Sequence, residues 1–455
     1  MSHRILRIAL FLALCLTIVP NDRAAVEKKR NITEKDLFDF VWIGDPQVSP
    51  DGSRVAFVRV TVNEKKLGYD TSLWLVPTDA SEPPRQLTHG PHDGGARWSP
   101  DGKFLVFSRA TEKDGKPQPP QLCLLPLAGG EAFSFTDLPK GASDPKWSPD
   151  GKWIVFGDSS NADDLAKQAK KKSGAKAEED EHESDVHVVT QAVYRENDEG
   201  YLDPKRPQHL WVIQVPQNAD EKPEPRQLTN GHFDEGDAFW SKDGAQIYFT
   251  SLHVDEPYYE LPKTELYLVP AKGGDAKRLL TIPMGTGPLA LSPDGKSVAF
   301  IASANEPVNS YSEPDLWTLD LTPNGQPHNL TSAFDYDAGA NVFGDNAAPR
   351  GLGGNTPIWS PDGKSILEIY AKEGETQLAS FDVAGGGVNP LTHGKQAVLR
   401  YSASADGSKI VCLISTPTRI NDLFCFDQAG ASARQLTHAN DKLFDQLNLT
   451  QPEEI

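Results

Sequence analysis

One four-residue turn recurs seven times along this 455-residue chain and constrains its fold more than any other feature. It reads Ser-Pro-Asp-Gly at Ser49 to Gly52, Ser99 to Gly102, Ser148 to Gly151, Ser292 to Gly295 and Ser360 to Gly363. Two degenerate copies, Ser241-Lys242-Asp243-Gly244 and Ser404-Ala405-Asp406-Gly407, complete the set. Proline presets φ for the second position of a turn, aspartate bonds the backbone ahead of it, and glycine takes a positive φ without steric cost. The motif is therefore a hairpin tip. Successive tips lie 50, 49, 93, 51, 68 and 44 residues apart, and the two long intervals locate insertions at 158–208 and 332–356.

The flanks of the tip are equally regular. An aromatic strand end precedes it at Trp98, Trp147, Trp240 and Trp359, and an apolar run such as Phe104 to Phe107 or Val298 to Ile301 follows. A third strand comes next (Leu73 to Val76, Leu266 to Val269). A fourth closes on variants of Arg-Gln-Leu-Thr, as at Arg85 to Thr88, Arg226 to Thr229 and Arg434 to Thr437. Strands apolar on both faces belong between other sheets. Four strands per repeat and seven repeats predict an all-β, seven-bladed β-propeller over residues 43–437. The first insertion falls within blade 3 and the second between blades 5 and 6. Residues 26–42 form an N-terminal segment, and 438–455 read as a linker.

Each blade uses one contiguous span, so the ring is expected to close by packing alone unless Leu37 to Val41 or Leu443 to Leu449 adds an edge. The repeated tips then lie on one face. The long, varied loops and both chain ends lie on the other, which makes that face the candidate working face.

At the N-terminus, Arg4 and Arg7 lead into the apolar run Ile8 to Val19, which fits a secretory signal and falls short of a bilayer span. Residues 1–25 are read as that signal, with an uncleaved anchor or a lipid attached at Cys15 as alternatives, so the protein is expected to be exported to a periplasmic or extracellular space. Net charge is −19, and −21 without residues 1–25. That balance disfavours nucleic acid as a partner, because phosphate binding needs a basic footprint. Cys412 and Cys425 lie on successive strand runs and could face each other as a disulfide in an oxidising compartment; the alternative is two small buried hydrophobes. The dense charge of Lys167 to Asp185, with His182 and His187 nearby, reads as a surface loop rather than a metal site. No cofactor or metal is expected.

The repeats Trp98 to Lys103 and Arg226 to Thr229, the stretch Glu256-Pro257-Tyr258-Tyr259-Glu260-Leu261 leading into Leu266 to Val269, and Tyr194-Arg195 near Gly200-Tyr201 carry a family resemblance. Over about residues 31–455 the chain resembles the propeller half of secreted serine peptidases of the prolyl oligopeptidase family, in the acylaminoacyl-peptidase and dipeptidyl-aminopeptidase branch. The repeats alone also resemble TolB-like periplasmic proteins. In the peptidase family a propeller precedes an α/β-hydrolase domain and restricts and positions peptide substrates. The nucleophile elbow of such a domain needs Gly-x-Ser-x-Gly, and no such pentapeptide occurs in this sequence.

The resemblance thus implies a non-catalytic propeller portion of a truncated, split or incompletely sequenced peptidase, inactive alone, with a hydrolase domain or peptide substrate over the long-loop face. The alternative is a stand-alone exported propeller that binds a protein or envelope component. By the same resemblance Tyr194, Arg195, Glu196, Asp198 and Glu199 are candidate substrate-binding residues, since carboxylates pair with an α-ammonium and arginine with a terminal carboxylate. A solvated charged loop is the competing reading of that segment.

Overall fold

The computed structural model describes residues 29–113, 116–174, 186, 188–197, 200–342, 347–427 and 433–453. The expected signal (residues 1–25) lies outside them. Nearly all regular structure is antiparallel sheet. The first sheet consists of Val41–Val48, Arg54–Val62, Tyr69–Pro77 and Arg85–Gln86. The second runs Asp93–Trp98, Phe104–Arg109, Gln121–Pro126 and Phe133–Ser134. The third has Ser143–Trp147, Trp153–Asp158, His209–Gln214 and Arg226–Gln227. The fourth has Glu235–Trp240, Gln246–Ser251, Thr264–Pro270 and Lys277–Ile282, and the fifth Ala290–Leu291, Ser297–Ser303, Pro314–Asp320 and His328–Asn329.

An eight-stranded sheet follows. It comprises two four-strand meanders, Ile358–Trp359 to Val388–Pro390 and Ala397–Ala403 to Arg434–Gln435, joined by one parallel pairing of Thr376 with Ala397. No helix among the described residues is long and apolar enough to cross a membrane.

The repeated motifs have mechanical causes that the structure makes explicit. At every tip the serine hydroxyl donates to the aspartate, as from Ser148 Oγ to Asp150 Oδ1 at 2.6 Å. The same oxygen accepts the backbone N–H five residues on, here that of Trp153 at 2.9 Å. The aspartate accepts a second backbone N–H, from Lys152 at 3.1 Å. At the last tip the Ser404 hydroxyl, followed by the N–H and hydroxyl of Ser408, holds the Asp406 carboxyl down at about 2. Serine, aspartate and glycine therefore survive in the two degenerate copies while proline does not.

These roles set the cost of substitution. Ser148→Ala leaves the part-buried Trp153 N–H without its acceptor and the Asp150 carboxylate without its hydroxyl donor, and is expected to destabilise by about 1 kcal/mol. Pro149→Ala, which touches no hydrogen bond, is expected to cost under about 1 kcal/mol. Chemical denaturation of the two variants checks the contrast.

The closing Leu-Thr pair is a second latch. Thr437 Oγ1 accepts from Leu423 N at 2.9 Å and donates to Asp422 Oδ1 at 2.6 Å. Thr331 does the same between Leu316 N and Asp315, and Thr392 between Leu378 N and Gln377. A side chain thus extends each of these outer strands of two or three residues, which leaves little open edge for another chain to pair with.

Apolar cores lie between neighbouring sheets, which explains strands buried on both faces. Val55 points into a core shared with the last meander, and its neighbour Ala56 into one shared with the second sheet. The indoles stitch neighbours together. Trp98 Nε1 donates to Gln47 O at 2.9 Å, Trp147 to Arg97 O at 3.0 Å, Trp240 to Lys146 O at 3.0 Å and Trp359 to Ala290 O at 2.9 Å.

Of the two readings of Cys412 and Cys425, the structure has two separate buried thiols and no bond between them. The ladder pairs Cys412 with Phe424 and Val411 with Cys425. That offset of one residue turns the two sulfurs to opposite faces of the sheet. Cys412 lies in the core shared with the preceding meander and Cys425 in the core shared with the first sheet; both thiols are free and buried.

Candidate binding face

Because each tip joins the first and second strands of a meander, the turns between second and third strands gather at the opposite end. The longest is the stretch between Trp153–Asp158 and His209–Gln214. It opens with an α-helix, Ala162–Lys172, which starts at a reciprocal capping box in which Asn161 accepts from Asp164 N at 2.9 Å and Asp164 accepts from Asn161 N at 3.2 Å. Arg206 then returns to Asp164 at 2.8 Å and clamps both ends of the insertion to each other. That contact, with the cap, holds the Asp164 carboxyl below the usual carboxylate range.

Of the residues singled out in the sequence, Tyr194, Arg195 and Glu196 sit together, all exposed, on a two-strand hairpin formed by Arg195–Glu196 and Gly200–Tyr201. The Tyr194 and Tyr201 rings stack at 6.2 Å, and the Arg195 guanidinium lies 5.9 Å from the Tyr201 ring centre. Asp198 and Glu199, at the turn, lie outside the described residues, as do His182 and His187 of the charged stretch.

The hairpin leans on the next long loop, where Gln191 Nε2 donates to Asp255 O at 3.4 Å and Ala192 N to Glu256 Oε2 at 3.3 Å. Beyond it stand Tyr258 and Tyr259, 69% and 75% exposed. Asn305 ties the following loop to Pro262 O at 2.6 Å and Pro283 O at 2.7 Å. That loop carries exposed Tyr311, bonded to Asp337. Partial burial and the neighbouring charges of Asp315, Asp337 and Asp335 raise the Glu313 carboxyl. The face thus offers aromatic rings beside carboxylates and the Arg195 guanidinium, a chemistry suited to holding peptide termini and apolar side chains.

Sequence reasoning missed a second set of charges, on the first strands of the first, third and fourth sheets. Asp45, Asp144 and Asp237 all occupy β-bulges at positive φ (44°, 47° and 45°), and Gly95 takes the matching place at 65°. The signal was present as Gly or Ser, then Asp or Gly, three residues before Trp98, Trp147, Trp240 or its counterpart Val48. Asp45 is buried and paired with Arg97 at 2.8 Å, and Asp144 is paired with Lys146 at 2.8 Å. Desolvation, then the Asp144 charge, raises the Asp237 carboxyl.

The buried His209 spends its Nδ1 on Glu235 at 2.6 Å. Burial pushes the Cys123 thiol up to about 11 and the Cys412 and Cys425 thiols upward as well, so all three stay protonated and unreactive at neutral pH.

No protein-family model matches the chain. The uncharacterized peptidase YuxL of Bacillus subtilis is 29% identical over 437 residues, covering 94% of this chain and 61% of that protein. Acylaminoacyl peptidase of Pyrococcus horikoshii superposes with a TM-score of 0.65 at 16% identity, over 93% of this chain and 57% of that one. The β-propeller domain of the Trilobed protease from Pyrococcus furiosus, described as having an open velcro topology, superposes with a TM-score of 0.57 at 15% identity, over 88% and 99% of the two chains. This chain therefore spans less than two thirds of the length of the first two. It is a homologue of peptidases, and it carries the fold of a protease propeller domain.

Proposed function

We propose that this chain is the seven-bladed propeller portion of an exported serine peptidase, and that its long-loop face admits and positions peptides for a hydrolase domain seated over it. The observation that carries the reading is the match over 94% of this chain to 61% of a peptidase. Contacts between successive tips support the blade count. A Cβ on Gly102 would meet Pro50, one on Gly151 Pro100, one on Gly407 Pro361, and one on Gly52 would meet Ser404 of the last tip. Export rests on Arg4, Arg7 and the run Ile8 to Val19.

On this reading Tyr194, Arg195 and Glu196 hold a peptide end. The purified chain is expected to bind a fluorescently labelled, free-ended tetrapeptide and to leave aminoacyl and acylaminoacyl chromogenic substrates intact. Replacing all three residues by alanine is expected to weaken that binding about tenfold, the loss of one charge-assisted contact. Turnover by the chain alone, or unchanged binding in the triple variant, would contradict the proposal.

A further inference from the structure

The insertion that opens with Ala162–Lys172 also builds a cleft apart from the Tyr194 hairpin. The cleft lies between the second and third sheets, beside the outer strand Phe133–Ser134, and holds about 710 Å³. That volume is within the roughly 300–1,000 Å³ of small-molecule sites. Leu165, Gln168 and Lys172 line it at helical spacings of three and four, so one face of the helix supplies a wall. Gln168 Nε2 donates to Asp137 O at 2.9 Å and Lys172 Nζ pairs with Asp137 at 2.9 Å, which fixes the helix to the end of the second sheet. Phe135 and Leu138, both buried, and the half-buried Leu165 give the cleft an apolar side.

Most charged and amide groups around the cleft are already spent. Asp93 holds Arg109 at 2.6 and 2.8 Å, while Gln121 bonds the Thr136 hydroxyl and the Leu138 carbonyl, both at 2.8 Å. Two lining charges are not spent: neither Lys222 nor Glu224 forms an ion pair or a side-chain hydrogen bond among the described residues. Each precedes a proline, Pro223 or Pro225, which confines its backbone to extended conformations and stiffens the loop that presents both charges. Trp211, 6% exposed, lines the cleft as well, and its Nε1 is buried with no hydrogen-bond partner. A buried indole N–H ordinarily has an acceptor. An unspent cation, an unspent anion and an unspent donor beside an apolar wall suit a ligand that carries both charges and a hydrocarbon group.

We propose that this cleft binds a small apolar zwitterion, a free amino acid or dipeptide: Lys222 takes its carboxylate, Glu224 its ammonium and the wall of Phe135, Leu138 and Leu165 its side chain, while a ligand oxygen supplies the acceptor that Trp211 Nε1 lacks. The cleft shares no lining residue with the Tyr194 hairpin, and its occupancy does not depend on the peptidase reading.

The test is calorimetric titration of the full chain with L-leucine, L-leucyl-L-leucine, N-acetyl-L-leucine and L-leucinamide. The first two carry both charges, the third only the carboxylate and the fourth only the ammonium. The tighter of the two zwitterions, which tells amino acid from dipeptide, is expected to bind at least about tenfold more tightly than either single-charge form. Lys222→Ala is expected to weaken it about tenfold, to the level of L-leucinamide, and Glu224→Ala about tenfold, to the level of N-acetyl-L-leucine. Both replaced side chains are exposed, so neither change touches the core. Replacing Tyr194, Arg195 and Glu196 together by alanine is expected to leave this binding unchanged, which keeps the cleft and the hairpin distinguishable. The proposal is overturned if neither zwitterion saturates the chain by about 10 mM, if the single-charge forms bind as tightly as the zwitterions, or if both single variants bind like the wild type.

Discussion

Replacing Glu368 by glutamine is expected to stabilise the protein at pH 8.5 and to leave it nearly unchanged at about pH 4. Glu368 sits in the middle of the strand Ser365–Lys372 and is 1% exposed. Its Oε1 accepts the Ile369 N–H at 2.9 Å, and Tyr401 stands beside it with its hydroxyl shared between the carbonyls of Thr356 and Leu367. No cation faces it in these contacts. Burial accordingly pushes its carboxyl from 4.5 up to about 7.

The native state therefore keeps a proton that the unfolded chain gives up near pH 4.5. The stability this provides is fully present below that value and is lost as pH rises through about 7. The whole difference is on the order of 3 kcal/mol. Glutamine has the shape of the protonated acid and never ionises, so the variant loses none of it. Comparing the two at about pH 4 isolates any hydrogen-bond mismatch of the amide, and the further gain on moving to pH 8.5 measures the buried charge. Denaturant titrations at the two pH values give both numbers. Parallel pH profiles for wild type and variant would mean that Glu368 is not the group that resists ionisation.

Most of the architecture was legible because each meander repeats a local device. The tips could be counted from Ser, Asp and Gly, although the serine matters for a reason the turn chemistry alone did not supply, its hydroxyl serving two partners at once. The Leu-Thr endings read as strand ends and are also hydroxyl latches. Local repetition carries no information about register, so whether Cys412 and Cys425 face each other stayed open until the ladder placed them one residue out of step.

Contacts between residues far apart in sequence left no trace at all. Asn421 and Asn440 reach partners 378 and 399 positions away, and nothing in their surroundings marks them as different from any loop asparagine. The candidate binding hairpin was half legible. Tyr194, Arg195 and Glu196 were found as neighbours in sequence, whereas the support from Asp255 and Glu256 belongs to another sheet's loop.

The second large effect is expected at Gly44, where no side chain fits. A Cβ there would overlap the Gly351 carbonyl and lie 2.9 Å from the Leu352 Cα. Both obstacles are backbone, so neither can turn aside as a flexible side chain would. Residues 347–356 form a strap bonded to the first sheet through Asp45 N and Leu352 O and to the last meander through Arg400 Nε and Gly353 O. Gly351 itself is held at a φ of 61°, and a Cβ on it would meet Val58 Cγ1 at 2.8 Å, so the strap has no room to retreat toward the sheet. Gly44→Ala must then either strain the strand or expel the strap.

Strain of this kind costs about 1–3 kcal/mol. Expulsion forfeits the bond from Asp45 N to Leu352 O and the packing of Leu352. The two outcomes are distinguishable at Arg350, an exposed residue immediately before the strap's contact with Gly44. If the strap leaves, trypsin is expected to cut after Arg350 at least about tenfold faster than in the wild type, because proteolysis follows the population of the open segment. If the strand absorbs the strain, cleavage at Arg350 stays slow and the denaturation midpoint falls instead. Gly354→Ala is the control, since a Cβ there meets nothing within 4 Å. It is expected to change neither measurement, and a Gly44 variant that behaves like it would remove the strap from any part in holding the first sheet to the last.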